Sequence, residues 1–119
     1  MPVKFLNDKP IFIQLADMIK GDIISGKFGL NEKLPSVREF ALIYSVNPNT
    51  VQKALQILEE QSLIITDRTN GKFVSESSRK IELEKNKAID YEVHSFFEKM
   101  KAFGLTSDEI KRIVNKKGE

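Results

Sequence analysis

The period of the apolar positions changes twice along this chain, and each change marks a new kind of element. Leu15, Met18, Ile19 and Ile23 stand three or four apart, the spacing of one helix face, and predict a first helix over residues 10–25. Pro10 suits its first position and Gly26 can adopt the left-handed stop. Phe28 and Leu30 then lead through Gly29 and Asn31 into a loop that ends at Leu34 and Pro35. Ser36, with Glu39 three residues on, makes a capping box for a short second helix. Val37, Phe40, Ala41 and Tyr44 form its apolar face. Ser45 and Val46 make a tight connection. Asn47 then caps a third helix, with Pro48 at the first position, where the missing N–H costs nothing. Val51, Ala54, Leu55 and Leu58 lie at i, i+3, i+4 and i+7, which predicts the buried face of this helix.

After Gln61 and Ser62 the period becomes that of strands. Residues 63–66 and 72–75 are short β-type runs, joined by Asp67, Arg68, Thr69, Asn70 and Gly71. Asn-Gly between such runs is a strong hairpin signal. Residues 76–78 read as a linker. The helical period then returns over residues 80–103, with Ile89, Val93, Phe96, Phe97 and Met100 on one stripe and Gly104 as its stop. Thr106 and Glu109 form another capping box and open a last helix with Ile110, Ile113 and Val114 expected to face inward.

Three helices, the second and third tightly joined, followed by a hairpin, predict a winged helix-turn-helix over residues 1–78. The fold class is mainly α with a small β-hairpin. Residues 79–119 form a two-helix tail, too small at about 40 residues to bury two phenylalanines well alone. Either the tail folds back on the winged helix or it pairs with another chain. Pairing is the favoured expectation, because a two-fold dimer also supplies two reading helices. The expected interface is Ile89, Val93, Phe96, Phe97, Met100, Ile110 and Ile113.

The outer face of the third helix carries Asn49, Gln52, Lys53 and Gln56, and its leading turn is Asn47, Pro48, Asn49 and Thr50. In a helix-turn-helix, that turn meets base edges in the major groove. Asn and Gln can bond adenine at two atoms, and Thr can bond several bases. An uncharged polar edge can therefore read sequence while flanking cations neutralise phosphates. The candidate flanking groups are Lys33, Arg38, Lys53, Arg68 and Lys72. The backbone N–H groups at the Ser36 helix start are another candidate, and Asn70 and Gly71 form a wing tip slim enough for a groove edge. Each has a plainer reading. The outer face could be solvated helix surface, Arg38 a surface ion-pair partner, and Arg68 and Lys72 guards against edge pairing.

Composition narrows the classes. Lys plus Arg number 19 and Asp plus Glu 17, a net charge of +2 over 119 residues, which neither demands nor excludes a nucleic-acid partner. Residues 1–80 hold 11 basic and 9 acidic side chains and residues 81–119 hold 8 of each, so any basic field is local. There is no cysteine, which removes disulfides and thiolate metal sites. No stretch approaches the roughly 18 apolar residues of a membrane span, and the start MPVKFLNDKP lacks a signal-peptide pattern. The expected location is cytoplasmic. His94 is the only histidine and makes no metal site by itself, so no cofactor or metal is expected. Lys111, Arg112, Lys116 and Lys117 read as cations placed near a helix C-terminus.

The run LPSVREFALIYSVNPNTVQKALQILEEQSLI, followed by RTNGKFV at 68–74, resembles the DNA-binding domain of GntR-type bacterial transcription regulators. PIFIQLADMIKGDIISGKF at 10–28 resembles that family's first helix. With a tail of about 40 residues, the chain is most similar to the YtrA-type branch. The resemblance implies a dimeric regulator of double-stranded DNA operators, usually a repressor, with transporter operons among its targets. It also implies DNA contacts by Arg38, the 47–50 turn, Gln52 and Gly71. The chain departs from the family pattern where Ser45 and Ser62 replace usual glycines, and where Thr69-Asn70-Gly71 replaces Gly-x-Gly in the wing. The larger effector domains of other branches are absent from this pattern, and no effector is indicated.

Two rival classes remain. A winged helix can serve as a protein-interaction module without DNA, but protein interfaces favour aromatic and aliphatic anchors, and the third helix's outer face has none. An enzyme would need a nucleophile and base that one histidine and no cysteine do not assemble. Glu59 and Glu60 are adjacent, point apart on a helix, and read as solvated surface.

Overall fold

The computed structural model describes residues 4–118. Five helices and one hairpin follow in the order α1 (Ile11–Ile24), α2 (Val37–Tyr44), α3 (Pro48–Glu60), β1 (Ile64–Asp67), β2 (Gly71–Val74), α4 (Ser78–Ala102) and α5 (Ser107–Lys117). The chain divides into two compact units between Glu84 and Lys85, inside α4.

In the first unit α3 packs against both α1 and α2. Its face of Val51, Ala54, Leu55 and Leu58 is buried throughout, against Leu15, Ile19 and Ile23 of α1 and Phe40 of α2 in one cluster. Met18, expected on the α1 stripe, is only half-buried, and Ala16 is enclosed instead. Fully burying a leucine- or isoleucine-sized side chain stabilises by about 1.5–3 kcal/mol, so this face dominates the local energetics. Phe28 meets the Phe40 ring edge-on, and Tyr44 stacks with Phe40 at a ring-centre distance of 6.2 Å. Ile81, from the start of α4, closes the same cluster, and Glu84 pairs with Lys20 at 3.6 Å.

Ser36 and Asn47 cap their helices as the sequence predicts. Ser36 Oγ accepts from the Glu39 N–H, the Glu39 carboxylate accepts from the Ser36 N–H, and Asn47 Oδ1 accepts from the Asn49 N–H at 2.7 Å. One boundary moves: α4 begins at Ser78 rather than near 80, because the Ser77 hydroxyl accepts from the Lys80 N–H and caps the helix early. The expected linker at 76–78 is thereby shortened.

β1 and β2 pair antiparallel from Ile64↔Val74 to Asp67↔Gly71. The loop before α2 supplies a third strand-like edge that no pattern announced. The Val74 N–H donates to Glu32 O and the Leu34 N–H donates to Lys72 O, at 2.9 and 2.8 Å. The N-terminal arm is held similarly by one side chain: the Gln14 amide accepts from the Leu6 N–H and donates to Leu6 O and Lys9 O.

Ser45 and Ser62 both take the left-handed conformation, at φ 55° and 62°. Each lies in a helix-ending turn in which the next N–H reaches back five residues, Val46 to Ala41 and Leu63 to Leu58, the arrangement that favours glycine. An L-residue there costs about 1–2 kcal/mol, partly offset by the greater backbone freedom glycine has when unfolded. Ser45→Gly and Ser62→Gly are expected to stabilise by roughly 0.5–1 kcal/mol each. Urea unfolding checks this, and a lowered midpoint in either variant would contradict it.

In the second unit, the end of α4 turns at Gly104, φ 90°, into α5, whose Thr106–Glu109 capping box forms as expected. Phe96 and Phe97 meet edge-on with ring centres 6.0 Å apart. Ile110 is buried, but Ile113 and Val114, expected to face inward, are 47% and 45% exposed. The eleven-residue α5 turns only a narrow face inward, and these two side chains lie outside it.

Candidate nucleic-acid interface

The leading turn of α3 is presented by a sharp corner. The left-handed Ser45 reverses the chain after α2, and Asn47 and Pro48 start the next helix at once. Asn49, Gln52, Lys53 and Gln56 are exposed on the face opposite the core, and Thr50 is half-buried. Asn47 Oδ1 is occupied by its capping bond, which leaves its amide N–H groups for a ligand.

Lys53 does not extend freely. Its Nζ lies 5.5 Å from the centre of the Phe12 ring, a cation–π contact between α3 and α1. Phe12 thus joins the surface, although its neighbours in sequence gave no sign of it.

At the α2 start, Ser36 and Arg38 are exposed. The capping box uses the N–H groups of Ser36 and Glu39 and places a carboxylate there. Bonds from Ser36 hold that carboxyl below its usual range, so it is charged at neutral pH. The remaining donors at this helix mouth are the N–H groups of Val37 and Arg38.

The wing collects the other candidates. Arg68 and Asn70 are exposed at its tip. The Asp67 carboxylate accepts from the backbone N–H groups of Thr69 and Asn70, at 2.8 and 3.1 Å, and from Asn70 Nδ2 at 3.4 Å. Those N–H groups hold the Asp67 carboxyl below its ordinary value, and the tip keeps its shape through them. Gly71 has φ 102°, a region L side chains rarely adopt. A Cβ there would lie 3.6 Å from Lys33 Cε, so the strand-like edge at Glu32 and Leu34 carries Lys33 to the wing. Lys72 Nζ donates to Thr66 Oγ1 at 2.7 Å. Thr66 Oγ1 in turn donates to the Glu59 carboxylate. Glu59, expected to be only solvated, is therefore engaged with the wing; seven residues separate it from Thr66, and only the fold of α3 onto β1 brings them together.

The candidates thus form a corner of α2 and α3 and a wing joined by Lys33, with Lys53 turned toward α1. A helix-turn-helix whose second helix exposes a polar face with an uncharged leading turn, flanked by a hairpin that carries Arg68 and Lys72, is a DNA-binding winged helix.

Comparison with known proteins agrees. The family model described as bacterial regulatory proteins, gntR family, matches residues 13–74. An uncharacterized HTH-type transcriptional regulator of Bacillus subtilis, YhcF, is 34% identical over 110 residues, covering 92% of this chain and 91% of that one. The HTH-type transcriptional repressor YtrA of the same organism is 41% identical over 70 residues, 59% of this chain and 54% of its own. The structure of a GntR family transcriptional regulator from Listeria monocytogenes superposes with a TM-score of 0.89 at 36% identity, covering 94% of this chain and 98% of that one. The chain belongs to the gntR family of bacterial regulatory proteins and is a transcriptional regulator with a DNA-binding helix-turn-helix, not an enzyme.

Proposed function

We propose that this protein is a homodimeric repressor that reads a two-fold operator with the leading turn of α3. The observation that carries the reading is the outer face of α3: Asn49, Gln52 and Gln56 stand exposed with no apolar anchor among them. Asn49, Thr50 and Gln52 would bond base edges. Asn47 and Pro48 would set the approach, and Lys33, Ser36, Arg38, Lys53, Arg68, Asn70, Gly71 and Lys72 would meet the backbone.

Dimerisation is assigned to the tail. Ile89, Val93 and Phe96 are 47%, 51% and 41% exposed, an apolar density that supports a partner chain. Repression is supported by the relative YtrA, which is a transcriptional repressor. In this proposal the DNA-binding head spans residues 1–78 and the dimerising tail 79–119, with Ile81 at the start of α4 buried in the core cluster of the head. Membership of a family of bacterial transcription regulators supports a cytoplasmic location; no helix among the described residues is long and apolar enough to cross a membrane.

Selection of bound duplexes from a random-sequence pool tests this, followed by a salt titration on the selected sequence. Expected is a two-fold site with half-sites about one helical turn apart. Its affinity should fall with salt at a slope of about 0.9 per phosphate contacted. No enrichment over the starting pool would overturn the reading.

A further inference from the structure

Glu59 is a carboxylate in the last turn of the helix that reads DNA. Placed near phosphates, a negative charge opposes binding, so its presence needs another explanation. The hydrogen bonds supply one. Glu59 accepts from Thr66 Oγ1, and the same oxygen accepts from Lys72 Nζ at 2.7 Å. Thr66 and Lys72 are partners across the hairpin, the third of its four pairs and one short of the turn. A single hydroxyl therefore links α3, β1 and β2, and each bond polarises the other.

The base of the wing is already fixed by the bonds of Val74 and Leu34 to the neighbouring backbone. At Lys72 the Leu34 N–H holds the backbone carbonyl, and the Glu59 link adds a tie from α3 to the side chains of the same hairpin pair. It also holds a long, rotamer-rich side chain in place. An ammonium carries three donors; one goes to Thr66, and two remain for a phosphate. Ordering Lys72 before DNA arrives removes part of the entropy loss that binding would otherwise carry.

We infer that Glu59 is a positioning residue for operator binding: through Thr66 it sets the wing against α3 and holds Lys72 Nζ where a phosphate oxygen can meet it. The inference rests on the proposed contact of the wing with the DNA backbone.

The sign of one substitution decides. If Glu59 acted only as a charge, Glu59→Ala would tighten binding. As a positioning residue, its loss weakens binding. Fluorescence anisotropy with the full chain and the selected duplex should show roughly tenfold weaker binding for Glu59→Ala and for Thr66→Val. The double variant should be no weaker than either single one, because both break the same chain of bonds. Glu59→Gln keeps an acceptor and loses the charge, so it should bind at least as tightly as the parent. The salt slope of Glu59→Ala should fall toward that of Lys72→Ala, a readout that a purely structural role would leave unchanged. Circular dichroism confirms that each variant is folded.

Tighter or unchanged binding by Glu59→Ala, or additive losses in the double variant, would overturn the inference. Arg68→Ala and Lys72→Ala separate the two levels. If both leave affinity and salt slope unchanged, the wing does not meet DNA and the underlying reading fails with the inference. If they weaken binding while Glu59→Ala and Thr66→Val do not, the wing reading stands and the positioning role falls.

Discussion

Replacing Val93 and Phe96 with aspartate should make the protein monomeric at micromolar concentration and lower its operator affinity roughly a hundredfold or more, the scale set by losing a linked second site. Both side chains are substantially exposed, at 51% and 41%, so the single chain does not rely on them as core. Within a dimer interface, a buried aspartate would lack a partner and cost several kcal/mol (about 2–5 for an unpaired buried charge). The choice of positions matters. Phe97 and Met100 are half-buried and Ile110 is 1% exposed within one chain, so changing these would damage the tail as well as any interface. Sedimentation equilibrium measures the assembly and anisotropy the affinity. A double variant that still sediments as a dimer would place the interface elsewhere.

The second large effect is expected from Asn49→Ala combined with Gln52→Ala. Each two-point base contact discriminates by about 1–3 kcal/mol, so the pair should lower specific affinity by roughly a hundredfold while leaving non-specific binding and thermal stability near the parent values. Stability is spared because both side chains are exposed opposite the core face, and the cap bond uses the Asn49 backbone N–H rather than its side chain. Asn47→Ala is a poor substitute, since it removes that cap at a cost of about 1 kcal/mol. The ratio of affinities for the selected and a scrambled duplex is the quantity to measure. An unchanged ratio would remove Asn49 and Gln52 from base reading.

The wing shows how local chemistry and tertiary placement divide the work. Asn-Gly announces the hairpin because Gly71 must take φ 102°, and the Asp67 bonds that shape the tip span two or three residues. The link from Lys72 through Thr66 to Glu59 announces nothing, since its last step joins residues on separate elements. The cation–π contact of Lys53 with Phe12 is hidden for the same reason, and so is the strand-like edge at Glu32 and Leu34, which is too short to show an alternation. Ser45 and Ser62 are an intermediate case. Their departure from glycine was visible in the chain, but the positive φ each must bear is a property of the turn.

By itself, then, the sequence determined the helices, their caps, the hairpin and the polar leading edge of α3, because periodicity and capping act within a few residues. It also determined the family, through the order of those elements and their residues. Tertiary structure alone decided which cations are held and by what. It also decided that Ile81 and Lys20 root the start of α4 in the first unit, and that Ile113 and Val114 stay exposed while Ile110 is enclosed. Those outcomes depend on side chains far apart in sequence meeting, and only the packing within each unit brings them together.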